Sequence, residues 1–547
     1  MGEDGGSPVY RSQALLASVP SHLTWEKYCG FLDLSLPTFM QIQRQRLEET
    51  LPGLCSSGIG RTFLRGSTPE SVEQFRSVAP LTTYEDYLPF FEPKMAIALP
   101  EPPIFWAKTS RVNMSQALIP YSETAFQHLI DGFIAAFLLS SADGREDTKL
   151  RSGQRVLYNL PPSPYLSGRL AQGLAECVQL RSVVDFDEVE GMEFHDKVTL
   201  GFERALESGV DVVASMTSVL LKMGEAFEHR GKRRRSLKTL LKPRMAWRML
   251  RGLVRSRLEG RTVLPKDLWP LKALVCWGTD TGVYRDKIRH YWGCDPYEFL
   301  AVTEGGILAM QSWTRQGMTF VPATNFLEFI PERDALDGGA TAVAGYQTLL
   351  LDELKPKERY EVVITSCAGM PFMRYRTGVL VDVLAARDRK AGIALPQVQA
   401  CGRVHDIIDI AGFTRLDEQT VSTAMRDAGL SPFEWTARKE YEDNAPVLRV
   451  YIERNGRDDA NVEQRLHGSL LKLDTYYEDL EQMLGVQPLR ITTVEPGTFR
   501  AYTELCREQG VDLDRQSIPR INASDREIEE LMLRNYAVST ADPSLVA

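Results

Sequence analysis

The chain has 547 residues, enough for about two to four domains with their own cores. Its 43% apolar, 25% charged and 9% aromatic residues are ordinary for a soluble globular protein, and a net charge of −9 argues against general affinity for nucleic acid. The eight cysteines (29, 55, 177, 276, 294, 367, 401 and 506) form no C-x-x-C and no zinc pattern with histidine. No metal and no disulfide framework are therefore expected, which fits a reducing, cytoplasmic setting. "MGEDGGSPVY" reads as neither a signal peptide nor a myristoylation site. The apolar run "FIAAFLL" (133–139) is too short to span a bilayer, so stable membrane insertion is not expected.

Residues 10–90 read as helices, with a proline-marked loop near "VAPLTTYEDYLPFF". "SETAFQHLIDGFIAAFLL" from 122 predicts a helix with Ser122 as N-cap and Glu123 at the positive end of the dipole. Strand-length apolar runs follow at "RVLYNL", "VDVVAS", "KALVCWG" and "YEVVITS", separated by helix-like segments. This alternation predicts an α/β architecture with a partly parallel sheet. Near residue 400 the texture changes. "QACGRVHDIIDIAGFTRLDEQTVSTAMRDAGL" reads as strand and turn, then a helix capped by Asp417 and ended by Gly429, with Val421, Ala424, Met425 and Ala428 on one face. Strands at "VLRVYIE" and "PLRITTV" then predict a smaller α/β domain, giving domains 1–400 and 401–547, and "STADPSLVA" reads as a disordered end.

Residues 230–261 hold thirteen basic residues and one acid, Glu259. Leu237, Leu241, Met245, Met249 and Leu253 recur every four residues, a helical stripe despite Pro243. The plain reading is a solvated basic helix; the alternatives are a docking surface for an acidic partner such as an acyl carrier protein, and attachment to a membrane surface.

"GMPFMRYRTGVLVDV" (369–383), "GRVHDIIDIAGFTRLDE" (402–418) and "AVTEGG" (301–306) resemble paired motifs of the adenylate-forming superfamily. "VEPGTFRAYTELCREQGVDLDRQSIPRI" (494–521) resembles, more specifically, the C-terminus of the auxin-conjugating acyl-acid amido synthetases. The resemblance extends over about residues 60–521. It implies the adenylate-forming-enzyme fold, a large N-terminal α/β domain with a small mobile C-terminal α/β domain. It also implies a two-step reaction, in which acid and MgATP give an acyl-adenylate that an amine then attacks.

Position by position, the nucleotide parts depart from that family. Aligned to end at Ile119-Pro120, the phosphate loop keeps Thr109 and Ser110 but places Arg111 and Met114 at its glycines, Val112 and Asn113 at its threonines and Ala117 at its lysine. Glycines there let backbone N–H groups converge on phosphate. Val379 stands where an aspartate would clamp the ribose, and Asp382, three residues on, faces the other side of a strand. Ser517 takes the place of the catalytic lysine, and no lysine follows Lys472. Leu300 replaces an aromatic beside the adenine. Retained are Thr303 and Glu304, Arg376, and the hinge residues Gly402, Arg403, Asp406, Gly412 and Glu418.

Losses in four separate parts of the chain, each contributing on the order of a few kcal/mol, predict that adenylation has gone. The function expected is an ATP-independent enzyme of specialised metabolism that holds an acyl or polyketide-type substrate and cyclises it or transfers its acyl group, without a cofactor. Two alternatives stand beside it: an amide ligase with an unusual site for ATP and Mg, and a pseudoenzyme that binds a metabolite or a protein. Glu304 is the candidate general base, and His405 beside Asp406 a candidate acid or base. Thr109, Ser110, Arg111, Thr303, Arg376, Val379, Arg403 and Ser517 are the expected cleft residues. Cys367 and Cys401 read as buried packing thiols, and His128 and His195 have no partner visible in the sequence.

Overall fold

The structure, a computed structural model, describes residues 21–109, 117–159, 166–178, 180–189, 192, 194–230, 243–277, 281–336, 346–404, 407–410, 414–430, 434–442, 445–453, 461–474, 477, 487–509 and 517–540. The chain separates into two compact units, residues 1–377 with 381–400, and residues 378–380 with 401–547.

The larger unit is organised by an eleven-stranded sheet. Strands Arg181–Ser182, Arg155–Asn159, Val212–Met216, Ala273–Trp277 and Tyr297–Val302 lie side by side in parallel. Gly306–Gln311, Met318–Phe320 and Gln397–Arg403 continue the sheet in antiparallel fashion. Tyr375–Ala385, Arg359–Ser366 and Asn325–Pro331 complete it. "VVASM" and "ALVCW" are continuous apolar runs because helices cover both faces of a parallel sheet. The helix Glu123–Ser140 starts as its sequence predicts, with Ser122 Oγ accepting from Ala125 N at 3.1 Å. It is buried almost all round, and Gly132 lets it settle within contact distance of Ile307.

Several local expectations are corrected. "TYEDYLPFF" is not a loop: Tyr84–Phe91 is a helix whose Asp86 carboxylate accepts from Thr83 N at 2.7 Å, so the first turn is held and Pro89 forfeits one helical bond. The basic stripe is helical over Pro243–Leu258, and Pro243 is the first described position of that helix, where its missing N–H costs nothing. Leu237 and Leu241 lie outside the described residues. Of the end expected to be disordered, Ser539 and Thr540 belong to the helix Asp525–Thr540, and residues 541–547 lie outside the described residues.

A separate hairpin, Pro103–Thr109 with Ala117–Ser122, brings Thr109 opposite Ala117, with residues 110–116 between the strands. In the smaller unit, Glu434–Glu442, Ala445–Glu453 and Leu489–Val494 form a three-stranded sheet. Helices Glu418–Asp427 and Val462–Leu473 contribute Val421, Met425, Leu466 and Leu470 to its core. Asp417 caps the first of them, accepting from Thr420 N at 2.8 Å.

Candidate functional site

Glu304 occupies the turn between Tyr297–Val302 and Gly306–Gln311, closed by Gly305 N donating to Val302 O at 3.2 Å. The two glycines of "TEGG" have separate reasons. A Cβ on Gly305 would stand 2.6 Å from Ile364 Cδ1, and Gly306 adopts φ +66°. Asn325 Nδ2 donates to Gly305 O at 2.7 Å and fixes the turn from a neighbouring strand. Glu304 is half-buried, and its Oε1 accepts from Tyr375 Oη at 2.9 Å. The carbonyl of Thr303 accepts from Tyr121 Oη at 2.6 Å. Burial, and then the charge of Glu304, push the Tyr121 phenol well up, so it stays a donor.

Three segments thus meet at one place: the hairpin base through Tyr121, "TEGG" through Glu304, and "RYRTG" through Tyr375. The preceding "AGMPFM" closes against them. Gly369, at φ +79°, has no room for a side chain, since a Cβ would lie 2.5 Å from Glu101 Oε2 and 2.6 Å from Ser122 Oγ. Burial holds the His128 imidazole below the ordinary histidine range, and the Arg46 charge acts in the same direction.

Arg374 is fully buried at φ +42°. Its guanidinium makes two bonds of 3.1 Å to the fully buried Glu328 and donates to Ala79 O (2.8 Å) and Tyr346 O (2.7 Å). Two residues on, Arg376 is taken up by Glu361 at 2.6 Å. Thr377 Oγ1 donates to Val362 O at 2.6 Å. Val379, the residue at the ribose-clamp position, is buried at 2% exposure. Asp382 pairs with Arg359 at 2.8 Å, so its carboxylate is already engaged.

Ser110, Arg111 and His405 lie outside the described residues, as do the side chains of Thr109 and His195. In the smaller unit Arg403 is exposed at the end of its strand, and Ser517 is exposed. The register around Ser517 is pinned: Pro519 O accepts from Thr436 Oγ1 at 2.6 Å, and the Arg520 guanidinium lies 5.2 Å over the Trp435 ring. "PGTF" is the start of the helix Thr498–Glu508. Gly497 takes φ +93°, and the Glu453 carboxylate accepts from Gly497 N (2.9 Å) and Phe499 N (3.0 Å). Cys367 is buried, and burial pushes its thiol up to about 11, whereas Cys401 is only half-buried, at variance with the packing expected of it.

A second group was not legible in the sequence. Tyr158 Oη and Asn159 Nδ2, at the carboxyl end of a parallel strand, are buried with no hydrogen-bond partner among the described residues. Ligands of open α/β sheets bind beyond that edge, and buried polar atoms are seldom left unmatched. The helix Phe194–Ser208 packs there, and Gly201 lets Leu157 and Asn159 approach. One turn earlier, Lys197 is buried, and burial lowers its ammonium to about 8. Nothing in the residue order marks this lysine; its desolvation is a property of the packed state. Among the described residues no group of three His, Cys, Asp or Glu side chains is placed to hold a metal. A cavity of about 480 Å³ lined by Arg285, Glu298 and Gln399 shares none of these residues.

Residues 318–397, within the larger unit, match the GH3 family central domain. A GH3 domain-containing protein of Mus musculus is 26% identical over 340 residues, 56% of this chain and 60% of that protein. A probable indole-3-acetic acid-amido synthetase, GH3.9 of Oryza sativa subsp. japonica, is 27% identical over 222 residues, 37% of this chain and 47% of that one. The chain thus spans between about half and three fifths of the length of these two relatives. Among solved structures, the acyl acid amido synthetase AtGH3.15 in complex with 2,4-DB has a TM-score of 0.64 at 15% identity, covering 95% of this chain and 97% of that one. A 2-hydroxyisobutyryl-CoA ligase in the postadenylation state has a TM-score of 0.61 at 14% identity, covering 96% and 98%. These likenesses show the fold: a mixed α/β architecture shared with adenylate-forming enzymes.

Proposed function

We propose that this chain is an enzyme on an acyl-acid amido synthetase-like fold that works without ATP, acting on an acyl substrate that arrives already activated or poised to cyclise. The observation that carries the reading is Asp382. It is the nearest acid on the strand to the ribose-clamp position held by Val379, and Arg359 already occupies it at 2.8 Å. The second support is Ser517, whose neighbours Pro519 and Arg520 are anchored so that no sliding of the segment supplies a different side chain.

In acyl transfer from a thioester, the amine nitrogen forms a bond to the carbonyl carbon and the thiolate leaves. The proton shed by the nitrogen passes to Glu304, whose carboxylate is oriented by Tyr375. For a cyclisation the same residues hold one conformer, and the gain is one of proximity and orientation. The test is turnover of acyl thioesters with amines in nucleotide-free buffer, run beside acid-dependent pyrophosphate exchange. Product without nucleotide and no exchange is the expected result; exchange with any acid overturns it.

The other reading is an ATP-dependent amide ligase. The retained Glu304, held at a "TEGG" turn, favours it, since one carboxylate there could meet magnesium. So do the amido synthetases among the relatives.

A further inference from the structure

The helix Pro243–Leu258 buries only one of its faces. Met245, Gly252 and Ser256 are buried, and Met249 and Leu253 pack on the core around Trp269. Outward it presents Trp247 (69% exposed), Leu250 (56%), Val254 (53%) and Leu258 (84%). Spacings of three and four residues set these side chains in a single stripe. Arg244, Arg251, Arg255 and Arg257 are exposed beside them. Arg255 has Glu259 at 3.8 Å, while Arg244, Arg251 and Arg257 make no ion pair among the described residues.

At the Trp247 end, Arg155, Arg244, Trp247, Arg248 and Arg251 line a cavity of about 430 Å³, shared with two acids, Glu207 and Asp211. Gly209 opens its wall: at φ +87°, a Cβ would stand 2.7 Å from Arg248 Nη2 and 3.2 Å from both terminal nitrogens of Arg155. Two guanidinium groups therefore converge on one spot. Arg248 Nη1 donates to Leu206 O at 2.5 Å, and Arg155 Nε lies 3.5 Å from Asp211. Burial, and next the charge of Arg155, hold the Arg248 guanidinium below its ordinary range, a penalty that a bound anion would relieve.

We propose that this face adsorbs to an anionic phospholipid surface, seating a headgroup phosphate in the arginine cavity and the stripe Trp247, Leu250, Val254 and Leu258 at the acyl boundary. Guanidinium groups suit phosphate by their forked donors, and Trp beside aliphatic residues suits the layered polarity of a bilayer interface. A docked acidic protein would satisfy the arginines, but it would also have to cover four outward apolar side chains. A net charge of −9 gives the whole chain no bulk attraction to an anionic surface, so adsorption falls to this patch.

Flotation of the full chain with phosphatidylcholine vesicles, with and without phosphatidylserine, tests this. The protein floats with the mixed vesicles, not with phosphatidylcholine alone, and added salt releases it. Arg244→Gln and Arg251→Gln each weaken partition about fivefold. Trp247→Ser weakens it about tenfold. All three side chains are exposed, and unchanged circular dichroism shows the variants fold. The proposal is overturned by no flotation with the mixed vesicles, or by flotation that none of the variants changes. Inorganic phosphate or glycerophosphoserine bound by a chain that ignores vesicles would mark a site for a free phosphate. Capture of an acidic acyl carrier protein without vesicle binding would make the face a protein dock. Either result overturns it too.

Discussion

The strand Tyr375–Ala385 carries two positions four residues apart with opposite characters. At its start, Tyr375 donates to Glu304 and keeps a polar, hydrogen-bonded corner of the site. At position 379, a buried valine stands where the resembling family has a carboxylate. The strand, the turn at Gly305 and the arginines around them are all in place, so the apolar position is not a symptom of a decayed fold. The framework and the nucleotide chemistry are separable, because packing and main-chain bonds build the one while a few side chains supply the other.

Breaking the framework should have the largest effect. Arg374→Ala leaves the Glu328 carboxylate buried with Arg76 as its one ion-pair partner among the described residues, and chemical denaturation should show a loss of about 3–5 kcal/mol. A loss below about 1 kcal/mol would mean that the Arg374 network is not what sets this region. Glu304→Gln keeps an oxygen for Tyr375 to donate to, so stability should hold while nucleotide-free turnover falls about a hundredfold. Unchanged turnover would remove Glu304 from the chemistry and leave the site's polar corner structural.

The smallest effect concerns the second group. With Lys197 at about 8 in the folded chain against 10.5 for the ordinary side chain, the unfolded chain binds more protons between those values, and stability rises with pH across that window. Lys197→Met should abolish the rise and lift the midpoint of thermal unfolding near pH 7 by about 2–4 °C. A variant with the same pH slope as the parent would show that the lysine is solvated.

How much of this could be read from residue order depends on how far apart the causes lie. Ser122 and Asp417 cap their helices from adjacent positions, and "VVASM" and "ALVCW" need only their own side chains to declare buried strands, so these elements were legible. The meeting of "TEGG" with "RYRTG" was implied by the resemblance, but not the tyrosine that joins them. Arg374 finds its charge partner 46 residues away, and Lys197 and Tyr158 owe their character to burial by distant segments.

The account turns on whether nucleotide still binds, and calorimetric titration of the full chain with MgATP asks this without any guess about the acid. The account predicts no heat of binding up to millimolar nucleotide. A clear micromolar isotherm would contradict it, and would return the chain to the adenylating enzymes whose fold it shares.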